Sequence, residues 1–223
     1  MLDIFQAAGL PPPAVLDTPD ALRVLVTGLR PRNPSAPRGA QARDVLEQME
    51  DVLRPHGCDF SHVARTWFFL EDILDWYGEF NAARTAFFRE RRVFGGIVPA
   101  STGVGIAGLG STVAAAVLAV LPRTRAAGVQ AVASPLQCEA LDYESSFSRA
   151  VEVRAAGERR LYVSGTASID DGGASVHDGD FEAQVRLSLA VVEQILLARG
   201  FDWPDAARAT LYVRDADDLP RVR

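Results

Sequence analysis

One stretch of this chain is written twice, 143 positions apart. Gln41, Gly57, Asp59, Arg65 and Asp72 recur as Gln184, Gly200, Asp202, Arg208 and Asp215, in register and without a gap. A period this long exceeds the roughly 20–50 residues of a solenoid unit and suits a small domain, so two tandem domains are expected. The copies are unequal. The first runs on for more than fifty residues after Arg65, whereas fifteen follow Arg208. By that count the second copy lacks most of one helix and two strands, so the chain is expected to be a C-terminally truncated, inactive fragment with an open sheet edge.

Local signals give the elements. Arg23–Gly28 reads as a strand ending at a turn glycine. Val45, Leu46, Met49, Val52 and Leu53 fall at helical spacing within 40–55. Val63–Leu70, rich in Trp and Phe, suits a buried strand. A second helix is expected over 72–92, with Trp76, Phe80, Phe87 and Phe88 facing inward. Two apolar strands, 99–109 and 112–121, follow as a hairpin through the turn Gly108–Gly110. In the second copy, 147–153 and 160–165 suggest a hairpin through Ala156–Glu158, 181–199 repeats the helix and 207–213 repeats the strand. The expected organisation is an N-terminal extension (1–20), a first domain (21–123), a connector (124–146) and an incomplete second domain (147–223). The fold class is α+β, a mixed sheet with two helices packed on one face.

Composition excludes several functions. The net charge of −6 argues against nucleic acid, because phosphate binding needs a basic surface. No run of about 18 apolar residues offers a membrane span, and the N-terminus has no basic region of a signal peptide. Cys58 and Cys138 form no metal or redox spacing and read as reduced thiols of a cytoplasmic protein. His56 and His62 have no matching ligands, and Gly103–Gly105 and Gly108–Gly110 lack the downstream helix of a phosphate loop. No metal and no organic cofactor is expected.

Leu161-Tyr-Val-Ser-Gly165, the helix ending at Gly200 and Ala209-Thr-Leu-Tyr-Val-Arg-Asp215 resemble the Rid superfamily of YjgF-like proteins. The first copy is similar through Leu25-Val-Thr-Gly28, Arg65–Asp72, Phe80-Asn81, Phe87-Phe88 and Pro99-Ala100. The resemblance implies a chorismate-mutase-like α+β fold assembled as a trimer, or here as a pseudo-trimer, with sites in clefts between subunits. Ala64-Arg-Thr-Trp67, Val98–Gly105, Tyr143, Phe147-Ser-Arg149, Leu161–Ala167 and Val176–Asp180 are similar to the tandem-domain chorismatases. Those relatives hydrolyse the enol-ether side chain of chorismate and release pyruvate, so a small carboxylated metabolite is the expected partner.

The resemblance also carries roles. Rid deaminases place a carboxylate-binding arginine after Pro-Ala, where this chain has Ser101, and an acid on the final strand, where 111–120 has none. Deamination of 2-imino or enamine acids would therefore fall to a second-domain site, and a catalytically silent binding or oligomerisation module is a further alternative. The chorismatase match implies that Arg149 and Arg214 hold carboxylates and Tyr143 donates a hydrogen bond. Ser164, Gly165 and Ala167 would then line the pocket, and the catalytic glutamate would lie beyond Arg223. From the residues alone, Arg214 pairs equally well with Asp215 or Asp217, Arg149 suits a solvated strand, and Tyr143 suits a linker anchor. Arg65 and Arg208, present in both copies, read as structural. His177 reads as part of a turn, with Asp180 capping the next helix.

Overall fold

Val113–Val120 is apolar at every position, and its surroundings explain why. This strand, β5 (Val113–Pro122), is covered on both faces. Val113, Ala115, Val117 and Ala119 pack toward helices, while Leu118 and Val120 pack toward the second copy. Two-sided burial gives a continuous apolar run rather than alternation. The computed structural model describes residues 12–143 and 145–222.

The first copy comprises β1 (Ala14–Asp17), β2 (Ala21–Leu29), α1 (Arg38–Leu53), β3 (Val63–Leu70), α2 (Ile73–Glu90), β4 (Ala100–Gly105) and β5. They form one mixed sheet in the order β1-β2-β5-β3-β4. β3 and β4 are parallel and the other pairs antiparallel, as a helical crossover between β3 and β4 requires. Both helices cover the same face. Phe60, Phe68, Phe80, Phe87 and Phe88 join Leu46, Met49 and Leu53 in that core. The rings meet edge-on, with centroids 4.8 Å apart for Phe60–Phe87 and 4.9 Å for Phe68–Phe80.

Two expectations about this copy are corrected. β4 and β5 are not a hairpin, because β3 lies between them. The loop at Gly108 and Gly110, both with positive φ, carries the chain across the end of β3. Ala14–Asp17, within the stretch read as an extension, pairs with β2 as an exposed edge.

The second copy holds a three-stranded antiparallel sheet of β6 (Gly128–Val132), β7 (Ala150–Ala155) and β8 (Glu158–Val163), in that order, and α3 (Phe181–Ala198). β6 falls inside the stretch read as a connector. The β7–β8 turn has φ of 54° at Ala156 and 74° at Gly157, the two positive values of a type I′ hairpin. Asp180 accepts a hydrogen bond from Ala183 N at 3.0 Å and so caps α3. Val191 and Ile195 of α3 pack on Val132 and Ala150. Beneath them Glu152, with its side chain 2% exposed, receives Arg159 at 2.9 Å and Arg199 at 2.7 Å.

The strand expected over 207–213 does not form: the segment is irregular and mostly exposed. In the first copy the equivalent β3 is held between β5 and β4. Among the described residues the second copy has no counterpart of either, so this backbone has no ladder to join.

Candidate functional site

The two copies meet along the back of the first sheet and at the edge of β4. Ala64, Ala100, Leu118 and Val120 pack against Val151, Val153 and Ala155 to form an apolar layer. Arg23 Nη2 donates to Ala155 O at 3.0 Å, and Ala156 N donates to Asp20 Oδ2 at 2.6 Å. That N–H and the Thr18 hydroxyl, the stronger influence, hold the Asp20 carboxyl below its usual range.

Beside this apolar layer lies a row of hydroxyls. Gly165 N donates to Ser101 O at 2.9 Å, and Ser148 N donates to Pro99 O at 3.1 Å. Ser164 Oγ accepts from Ser101 N at 2.9 Å and donates to Ser148 O at 2.5 Å. Thr66 Oγ1 donates to Ser101 Oγ at 2.9 Å. Small residues are needed for so close an approach: a Cβ on Gly165 would lie 3.2 Å from Thr102 Cγ2. The Leu-Tyr-Val-Ser-Gly motif of the second copy thus clamps the Pro-Ala-Ser-Thr segment of the first.

The six predicted site residues separate into two groups. Ser164 and Gly165 stand on the seam, and Arg149 is beside it, as Ser164 N donates to Arg149 O at 2.9 Å. Arg149 is 3% exposed. Its Nε and Nη2 donate to Cys138 O at 2.7 and 2.5 Å, which closes the 138–149 loop. Tyr143 ends a 3₁₀ turn over Ala140–Tyr143 within that loop, and its side chain lies outside the described set. Ala167 is exposed, and its carbonyl accepts from Gln137 Nε2 at 3.1 Å. Arg214 is exposed on the irregular C-terminal segment and makes no hydrogen bond or ion pair among the described residues. His177 has φ of 63°, and its Nδ1 lies 2.9 Å from Ser168 Oγ, which places it in the turn before α3.

Two further ionisable groups have perturbed surroundings: Arg65 of β3 and Glu139 of the 138–149 loop. Arg65 was read as structural, and its side chain does reach from β3 to Thr102 of β4. It is 5% exposed, its Nη2 donates to Thr102 Oγ1, and its guanidinium lies 5.0 Å from the Trp67 ring centroid. Its Nη1 is buried and has no hydrogen-bond partner. Desolvation lowers its pKa to about 10, so it stays charged at neutral pH. The usable signal was a lone arginine inside the apolar run Val63–Leu70. Glu139, next to Cys138, has its carboxyl pushed up by burial, against the attraction of Arg149. A half-buried acid with a raised pKa is one that can carry a proton. Among the described residues no group of three His, Cys, Asp or Glu is placed to hold a metal ion, and no helix is long and apolar enough to cross a membrane.

The two-copy organisation has a counterpart among known proteins. The model of the Endoribonuclease L-PSP family matches residues 23–120 and again residues 138–223. The chain belongs to that family, the YjgF-like or Rid group. Its similarity runs to the chorismatase branch. It is 29% identical over 202 residues to the 3-hydroxybenzoate synthase of Streptomyces hygroscopicus, covering 78% of this chain and 57% of that protein. It is also 29% identical over 189 residues to the chorismatase of Streptomyces rapamycinicus, covering 74% of this chain and 54% of that one. The chain therefore spans little more than half the length of these curated relatives. A chorismatase crystal structure superposes over 96% of this chain and 68% of its own, with a TM-score of 0.68 and 23% identity, which shows the shared fold.

Proposed function

We propose that the seam binds a small carboxylated enol ether, with chorismate the leading substrate, and that the parent activity is hydrolysis of that ether to release pyruvate. The observation that carries this reading is the position of Ser164 and Gly165. The motif that carries the chorismatase resemblance is the one that closes on β4, along the line where the two copies meet. In this proposal 21–123 and 147–223 act as the two domains, and Ser164, Gly165 and Ala167 form the small-residue wall. Arg214 takes one carboxylate from the exposed side. Arg149 takes the other by exchanging its Cys138 carbonyl for a charge-assisted pair, which is roughly twice as strong as a neutral one. Tyr143 donates a hydrogen bond.

Hydrolysis needs a proton on the enol-ether methylene carbon, then water on the oxygen-bearing carbon, after which the hemiketal collapses to pyruvate and the ring alcohol. The resemblance makes a glutamate the proton donor for that step, and the proposal for residues 1–223 concerns binding of the substrate. Imine deamination in the first copy has less support, because Ser101 N, O and Oγ are all engaged in the seam.

The test is calorimetric titration with chorismate, alongside a pyruvate assay coupled to lactate dehydrogenase. Chorismate should bind the wild type. Arg214→Ala, at a surface position where folding is not at stake, should weaken binding by roughly 10–150-fold, the worth of one hydrogen bond to a charged group. Wild-type protein that binds no chorismate, or Arg214→Ala that binds as tightly as wild type, refutes the assignment.

A further inference from the structure

Arg65 is a guanidinium without an acid. The other buried charges have an opposite charge or a carbonyl oxygen to meet them: Glu152 has Arg159 and Arg199, Arg23 has Glu158 and the Ala155 carbonyl, Arg149 has the Cys138 carbonyl, and Arg84 has the side-chain carbonyl of Asn81. Arg65 is 5% exposed, makes one hydrogen bond to a hydroxyl, and leaves Nη1 buried and unpartnered. No carboxylate of the described residues lies within ion-pair distance of it. A charge held this way carries a desolvation cost with little return inside the chain, and such cost is found where binding makes use of it.

Its surroundings point outward to the seam. Thr102, its one partner, stands against the exposed Gly165. Trp67, half-buried in the same face of β3, supplies a flat ring under the guanidinium. The ionisable side chain beyond the sheet that lies near Arg65 is Tyr212, which belongs to the exposed, irregular segment over 206–215 rather than to a packed element. What lies over Arg65 is therefore a part of the chain that no ladder holds in place.

We propose that Arg65 is a carboxylate-binding residue of the seam, meeting a planar carboxylate of a small ligand through Nη1 while Thr102 and Trp67 hold the guanidinium in plane. This rests on the reading that the seam binds a small carboxylated metabolite, and it moves one carboxylate contact to the first copy, at a position whose counterpart in the second copy is the exposed Arg208. A guanidinium suits this task because its fork matches both carboxylate oxygens. A side-chain carboxylate of another protein chain offers the same chemistry, and the ligand measurements separate the two sources.

The experiment compares wild type, Arg65→Met and Arg65→Lys by titration with 3-hydroxybenzoate and with chorismate, and by thermal unfolding without ligand. Arg65→Met should weaken both ligands by at least about tenfold, since a hydrogen bond to a charged group is worth that much. Its ligand-free Tm should be unchanged or higher, because a desolvated charge is removed and similar volume is kept. Arg65→Lys should bind more weakly than wild type, as a point charge cannot make the bidentate pair. Unchanged affinity in Arg65→Met overturns the proposal while leaving the chorismate reading standing. Arg65→Met that unfolds, together with Arg65→Lys that binds like wild type, also overturns it, since charge alone would then be structural. Binding of 3-hydroxybenzoate that depends on Arg65, with no binding of chorismate, supports it and defeats the substrate assignment. Wild type that binds neither ligand overturns both.

Discussion

Replacing Glu152 by glutamine tests whether the second copy is held by one buried charge cluster. The carboxylate accepts three bonds, from Arg159 Nε at 2.9 Å, Arg159 Nη2 at 3.2 Å and Arg199 Nε at 2.7 Å. It thereby ties β7 to β8 and to the C-terminal end of α3. Glutamine retains one acceptor and turns an N–H₂ toward donors. Removing one member of a fully buried pair costs roughly 3–5 kcal/mol. Here the arginines are 45% and 31% exposed and can be rehydrated, so the expected loss is about 2–3 kcal/mol. The assay is urea unfolding, combined with hydrogen exchange over 181–198, where protection should fall more than in β3 or α1. The pH dependence has a definite sign. Hydrogen bonding from Arg159, then Arg199, holds the Glu152 carboxyl below its ordinary value of 4.5. Its stabilisation is therefore present above that pH and drains away as pH falls further. Wild type should lose second-copy protection in that acid window, and Glu152→Gln should show no such component. A change below about 0.5 kcal/mol, the scale of ordinary surface substitutions, with unaltered exchange in α3, would refute the reasoning.

Two further outcomes follow from the seam and the hairpin. Ser164→Ala leaves Ser101 N buried without an acceptor, so a loss of about 1–3 kcal/mol is expected, with no such loss in Ser164→Thr if its Oγ keeps both contacts; denaturant midpoints decide it. Ala156→Gly relieves a left-handed residue in the type I′ turn, which costs roughly 1–2 kcal/mol in strain and returns part of that as unfolded-chain entropy. A net gain of up to about 1 kcal/mol in calorimetric unfolding is expected, and a loss would mean that the turn is not type I′.

Much of the first copy was legible because its elements carry strong periodic signals and sit in one core. The α1 spacing of Val45, Leu46, Met49, Val52 and Leu53 has a single solution, and all five are buried. Strand order was not legible: adjacency of 99–109 and 112–121 in sequence suggested a hairpin, and only the parallel crossover through α2 places β3 between them. β6 was missed because Gly128–Val132 is short and becomes a strand by pairing with β7. The segment 207–213 failed in the opposite way, carrying a strand pattern with no neighbour to pair with. At the site, the motif Leu161–Gly165 pointed to Ser164 and Gly165, which lie on the seam. Arg65 was read as structural because its recurrence in both copies suggested a shared task. Identical letters in two copies can meet different surroundings, one buried under Trp67 and the other exposed at 208.

Covering β5 on both faces has a further consequence for how the molecule can be divided. The exposed residues 123–126 look like a hinge at which the copies could be cut apart. Yet such a cut would bare Leu118 and Val120 on one piece and Val151 and Val153 on the other, all 7% exposed or less in the intact chain. Each piece would then carry a greasy wall made for its sibling. The repeat counts two in the gene, while solvent sees a single body, and any shortened version of this protein inherits the half-interface it was meant to leave behind.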